Sequence, residues 1–159
     1  MALSKWFISQ AGKLIYTGAA DPSFPFRILI LDDHKLFRKA FTDYCIRPFF
    51  KNVDLIEFEN GDEACDFIKN EIYHNNRIDL FITDINHPGL RGQELVKSIR
   101  FYEGLSVKTL RIPIIMLTMV AEGRYSELVA NKMIERYFTK VAEPEDIIDC
   151  MEGILYNNI

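Results

Sequence analysis

The sequence has little cysteine, no long apolar run and no excess of positive charge. Its three cysteines, Cys45, Cys65 and Cys150, are odd in number and widely spaced, with no CxxC pair among them. That excludes a disulfide framework and a cysteine-based zinc site, and leaves buried, reduced thiols of a cytoplasmic protein as the expectation. No apolar stretch approaches the about 18 residues a membrane helix needs. Near the N-terminus the patch Trp6-Phe7-Ile8 is too brief for the hydrophobic region of a secretory signal. A net charge of −4 gives no general affinity for nucleic acid. Internal repeats and low-complexity tracts are lacking too.

What is present is ordinary globular material. At 159 residues, 48% hydrophobic and 26% charged, the chain suits one folded domain with an appendage. The appendage is residues 1–25. Two short aromatic-apolar runs flank a glycine turn there, which reads either as a hairpin or as a short helix with Gly12 near its end. Pro22 and Pro25 then mark a linker.

Residues 26–159 form the main domain, and from Phe26 the pattern is regular. Strands are expected over 26–31, 53–58, 78–84, 112–118 and 136–140. Helices are expected over 34–50, 60–73, 92–102, about 123–133 and 143–155. Pro144 falls in the first turn of the last helix, where a missing N–H is harmless. Strand alternating with helix, the strands nearly continuous in apolar residues, predicts an α/β fold: a doubly wound five-stranded parallel sheet with helices on both faces.

In such a sheet the strands all end along one edge, where ligands bind. The first strand leads into Asp32-Asp33, the third ends in Asp84, the fourth in Thr118 and the fifth in Lys140. An ionisable carboxylate at the tip of a buried strand asks for a partner. Clustered carboxylates repel one another, and a divalent cation with a taste for oxygen, Mg2+ above all, cancels that repulsion. A carboxylate so held can act as nucleophile toward a phosphoryl group, which Lys140 would pair with and Thr118 would hydrogen-bond.

At this point the sequence resembles the receiver (CheY-like) domains of two-component response regulators, over about residues 26–156. The motifs are the acidic pair in "LILDDH", the acceptor in "FITDINHPGLRG", the threonine of "MLT" and the lysine of "YFTK". The resemblance implies a flavodoxin-like strand order of 2-1-3-4-5. It implies Asp84 as phosphoacceptor, with Asp33 and Asp84 ligating Mg2+ directly, Asp32 through water, and the backbone carbonyl of Asn86 as a further ligand. Thr118 and Lys140 follow the phosphoryl group, and Tyr137 stands where the family keeps its switch aromatic.

The implied partners are a sensor histidine kinase or phosphotransfer protein, and an output partner on the face of the fourth helix, fifth strand and fifth helix. A homodimer is a further option. Direct nucleic-acid or membrane contact is not expected, and the chain is read as a regulatory phosphoacceptor, not an enzyme. Two alternatives stand beside this. One is the receiver fragment of a helix-turn-helix transcription regulator, which "LDDHKLF" resembles, although Ile159 follows the last helix so soon that no room is left for a DNA-binding domain. The other is an aspartate-nucleophile phosphatase, a class that places its nucleophile after the first strand instead of the third.

Several positions depart from the family pattern. Val141 replaces the usual proline after Lys140, so a trans peptide or an altered loop is expected there. His87 stands in place of a methionine and is expected to be a partly exposed turn histidine, not a metal ligand or proton donor. Asn131-Lys132-Met133-Ile134 is bulkier than the usual small pair before the fifth strand. Val120, which with Asn86 flanks the phosphoryl site, offers attacking water no hydrogen bond and predicts slow self-dephosphorylation.

Overall fold

The computed structural model describes residues 6–8, 14–16, 25–90, 92–108, 110–119 and 123–157. Within the N-terminal appendage, strands β1 (Trp6–Ile8) and β2 (Leu14–Tyr16) pair antiparallel, with Ile8 opposite Leu14.

The apolar run Phe26–Leu31 forms β3, the hub of a five-stranded sheet. It is flanked by β4 (Val53–Phe58) on one side and β5 (Leu80–Asp84) on the other. Beyond β5 lie β6 (Ile114–Thr118) and the edge strand β7 (Arg136–Thr139). Every pairing in this sheet is parallel, in the order β4-β3-β5-β6-β7. Counted from Phe26, that is the expected order 2-1-3-4-5.

Side chains alternate across a strand, so neighbours in sequence feed opposite cores. Leu29, Leu31, Phe81, Ile114 and Met116 pack beneath α2 (Gly61–Tyr73) and α3 (Gly92–Leu105). Ile28, Ile30, Leu80, Ile82, Ile115 and Leu117 face the other way, onto α1 (Lys35–Phe41) and α5, whose range is Pro144–Asn157. The two central strands β5 and β6 are buried at every position, as a sheet covered on both faces requires. Among the described residues no helix is long and apolar enough to cross a membrane.

Two helices fall short of their expected lengths, while the third runs on to Leu105 and the last to Asn157. The first ends at Phe41 and passes into a wider π turn, Thr42–Ile46, where Arg47 N–H donates to Thr42 O at 3.0 Å. Arg47 keeps helical torsions, φ −56° and ψ −36°, but Pro48 has no N–H to continue the ladder, and the regular helix does not run on to residue 50. The wide turn keeps Cys45 and Ile46 both inward. The fourth helix is only α4 (Ser126–Ala130), preceded by a 3-10 turn, Gly123–Tyr125. Lys132, with φ +56°, turns the chain left-handed and stops it. The bulky residues that follow are used structurally: Ile134 is buried, and Met133 O accepts from Arg100 Nε at 2.9 Å and Nη2 at 2.7 Å.

Candidate functional site

The strand exits deliver the acidic groups to one place. Asp84 is the last residue of β5, and β3 runs beside it and ends one residue before Asp32. Donor atoms of Asp32, Asp33, His34 and Asp84 all lie within 4.8 Å of one another. Asp32 and Asp84 are buried, whereas Asp33 and His34 are exposed at the rim. The three carboxylates of this set have the chemistry of a divalent-cation site and fit Mg2+.

Lys140 follows β7 and reaches back over the sheet edge. Its Nζ donates to Asp32 Oδ2 at 2.6 Å and to Asp84 Oδ2 at 2.7 Å. On another side the ammonium faces the Phe37 ring of α1, 4.5 Å from its centre. Burial pulls the Lys140 ammonium toward lower pKa, but the bonds it donates to Asp32 and Asp84 more than offset this, and the net shift is upward.

The remaining contacts orient the carboxylates. Asp84 Oδ1 accepts from Ile85 N–H at 2.6 Å and more weakly from Asn86 N–H at 3.4 Å. Asp32 Oδ1 accepts from His34 N–H at 2.8 Å, and its backbone carbonyl accepts from the buried Arg38 guanidinium. Arg38 is in turn tied to Glu57 at 3.0 Å and Glu59 at 2.6 Å, on and just beyond β4. Thr118 ends β6 in a buried position, and its carbonyl accepts from Lys140 N–H at 2.7 Å. The backbone therefore ties the threonine and lysine directly together.

The other candidate residues fall in differing places. Asn86 is exposed at the mouth of the site. Tyr137 is half-buried on β7, its ring edge-on to Tyr125 at 6.3 Å. The Lys140–Val141 peptide is trans, as expected. Val120 lies outside the described residues.

His87 is a correction. Instead of a partly exposed turn residue, it is buried at 2% exposure. The start of α2 covers it: a Cβ on Gly61 would lie 2.6 Å from His87 Cε1 and 1.8 Å from Leu90 O. Only a glycine lets the helix press so close to the loop after β5. Its Nδ1 lies 3.0 Å from Pro88 O, and Nε2 has no partner among the described residues.

Three residues at the site were not singled out from sequence. His34 directly follows the acidic pair, and that adjacency was a usable signal. Phe37 and Arg38 lie about one helical turn further on, and nothing local says which strand exits they would meet.

Comparison with known proteins bears on the family and the fold. The family described as "Response regulator receiver domain" matches residues 28–152. A chemotaxis protein CheY homolog of Campylobacter jejuni is 29% identical over 131 residues, covering 81% of this chain and 92% of its own. CheY1 of Helicobacter pylori is 28% identical over 134 residues, covering 83% and 98%. Among solved structures, a CheY-like receiver domain protein from Methanospirillum hungatei superposes with a TM-score of 0.63 at 22% identity, covering 83% of this chain and 94% of that one. The receiver domain of the Pseudomonas aeruginosa sensor histidine kinase PA1611, with a magnesium ion in its active-site cleft, gives 0.64 at 18% identity, covering 83% and 98%.

Proposed function

The chain belongs to the response regulator receiver domain family, and from that premise we propose that Asp84 accepts a phosphoryl group from a sensor histidine kinase or phosphotransfer protein. The observation that carries this is Lys140, which joins Asp84 to Asp32 beside Asp33 at the C-terminal edge of the sheet.

A carboxylate oxygen of Asp84 forms the new bond to phosphorus as the donor's bond to phosphorus breaks, and the donor nitrogen or oxygen leaves with that electron pair. Asp33, Asp84 and the Asn86 carbonyl, with Asp32 beside them, would hold Mg2+, which would supply neutralisation of the negative charge gathered there. Lys140 moves from Asp84 to a phosphoryl oxygen, and the Thr118 hydroxyl donates to another. Because Lys140 N–H is bonded to Thr118 O, the two residues respond as a unit.

The output is a shift in population of the α4–β7–α5 face, with the Tyr137 ring following Thr118. Moving an equilibrium from mostly off to mostly on needs about 5.5 kcal/mol. Charge-assisted hydrogen bonds contribute roughly 1.5–3 kcal/mol each, so two to four suffice. Supporting this reading, Tyr137 already packs on Tyr125, ahead of α4. That face is the proposed site of an output partner or a second copy of the chain.

A second arrangement has one specific observation behind it. The probable transcriptional regulator ycf29 of Porphyra purpurea is 27% identical over 135 residues, and the match spans only 58% of that protein. A DNA-binding output joined to the same receiver is therefore the alternative to a partner acting in trans.

The test is labelling with radioactive acetyl phosphate, with and without Mg2+. Wild type acquires a base-labile aspartyl label that requires the cation, and Asp84→Asn does not. Equal labelling of Asp84→Asn would overturn the assignment. If Val120 stands beside the phosphoryl group as its sequence position implies, loss of the label is slow, and a half-life of seconds would count against that part.

A further inference from the structure

Resting on that reading of the site, we infer that His34 is a nitrogen ligand for borderline transition-metal ions such as Mn2+ and Co2+ bound there, and raises their affinity relative to that of Mg2+. His34 Nδ1 stands 3.0 Å from Asp33 Oδ1 and 3.3 Å from Asp32 Oδ1. It belongs to the same group of donors, all within 4.8 Å of one another, as the Asp84 carboxylate. Metal–donor bonds of about 2.0–2.2 Å place neighbouring donors about 3 Å apart and opposite donors about 4.2 Å apart. The imidazole nitrogen already stands at a neighbour's distance from two carboxylates.

The backbone fixes this placement. His34 is the extended residue that precedes α1, with φ −89° and ψ 94°, and its side chain caps no helical N–H. Its own N–H is held by Asp32 Oδ1 at 2.8 Å, so the ring's root is tied to the acidic pair. The side chain is 71% exposed, which leaves it free to turn onto an ion without disturbing the core. Neither other histidine competes: His87 is buried under Gly61, and His74 closes the far end of α2.

The consequence is selectivity. Mg2+ prefers oxygen and gains little from an imidazole, whereas first-row transition ions gain much. His34 thus adds affinity for the second class while leaving Mg2+ to the carboxylates.

The test uses the full chain with Mn2+, Co2+ and Mg2+ as probes. Pulsed EPR of bound Mn2+ reads nitrogen coordination directly, and Co2+ visible absorption gives an affinity. Wild type shows imidazole-nitrogen modulation that His34→Ala and His34→Gln both lose. Their Co2+ affinity falls roughly tenfold or more, since even outer partners of a metal contribute 10–100-fold. Mg2+ affinity in both variants stays within about twofold of wild type, which also reports intact folding. Bound Mn2+ without nitrogen modulation, or modulation that survives both substitutions, overturns the role of His34. Failure of wild type to bind any of the three ions overturns the metal reading of the site, and this inference with it.

Discussion

The ammonium of Lys140 stands 4.5 Å from the centre of the Phe37 ring. With Asp32 and Asp84 at 2.6 and 2.7 Å from the same nitrogen, the lysine is held by two carboxylates and an aromatic face. A cation over a ring contributes about 0.5–2 kcal/mol, more when desolvated. Phe37→Leu in the wild type should therefore cost more stability than the same change in a Lys140→Met background. Urea unfolding of the four proteins in this cycle measures the difference, expected at about 0.5–2 kcal/mol. Strict additivity would show that the stacking contributes nothing.

Alkaline stability should report the same lysine. Its pKa is raised in the folded protein, because the two carboxylate bonds more than offset burial. The folded state therefore binds its proton more tightly than the unfolded chain does. The stabilisation is fully present below the ordinary lysine value of about 10.4 and is lost as pH rises through the folded value. Thermal unfolding from pH 8 to 11.5 should show a decline in wild type that is smaller in Lys140→Met.

His87→Met should stabilise the protein. The imidazole Nε2 is buried with no partner among the described residues, a situation that costs about 1–3 kcal/mol. Methionine matches the volume approximately and carries no such atom. Pro88 O would lose its contact with Nδ1 but keep the bond from Gly61 N–H at 2.8 Å. The expected gain in urea unfolding is about 1 kcal/mol, and a loss of that size would show that Nε2 is satisfied in solution.

Gly61→Ala reverses the sign that helix propensity alone would give. In a helix, alanine is favoured over glycine by about 1 kcal/mol. Here the added Cβ would lie 1.8 Å from Leu90 O and 2.6 Å from His87 Cε1, so helix and loop must part. A loss of about 2 kcal/mol or more is expected in chemical unfolding. The same shift should slow labelling from acetyl phosphate, because Leu90 belongs to the loop that follows Asp84. By contrast, Asn60→Ala, which removes the 2.7 Å cap on Asp62 N–H, should cost only about 1 kcal/mol.

The parallel sheet was legible because its cause is local. The runs 26–31 and 53–58 are strands over the expected residues, since apolar β-rich segments declare themselves. The third and fourth strands begin two residues later than expected, at Leu80 and Ile114. Ile78 and Ile112 are buried all the same, because burial does not require a place in the hydrogen-bonded ladder. Asp79 uses its carboxylate to accept from Arg27 N–H at 2.8 Å, and Pro113 has no N–H to donate. Long-range features were out of reach. The burial of His87 depends on Gly61, on a different helix, and the Phe37 stacking depends on a lysine more than 100 residues away. At the site itself, the gathering of Asp32, Asp33, Asp84 and Lys140 was legible from the rule that parallel strands end together. His34 was not, because a lone histidine at a helix start has many uses.

The complete burial of β5 and β6 carries one more implication. Asp84 is mounted on a beam clamped from both faces, with neighbouring strands on either side. On the proposed role of Asp84, a phosphoryl group arriving there would not push its own support aside. The displacement would be taken up in the segments that leave the sheet edge after Asp84, Thr118 and Lys140. Asp84 would be a fixed anvil, with motion confined to the connections around it.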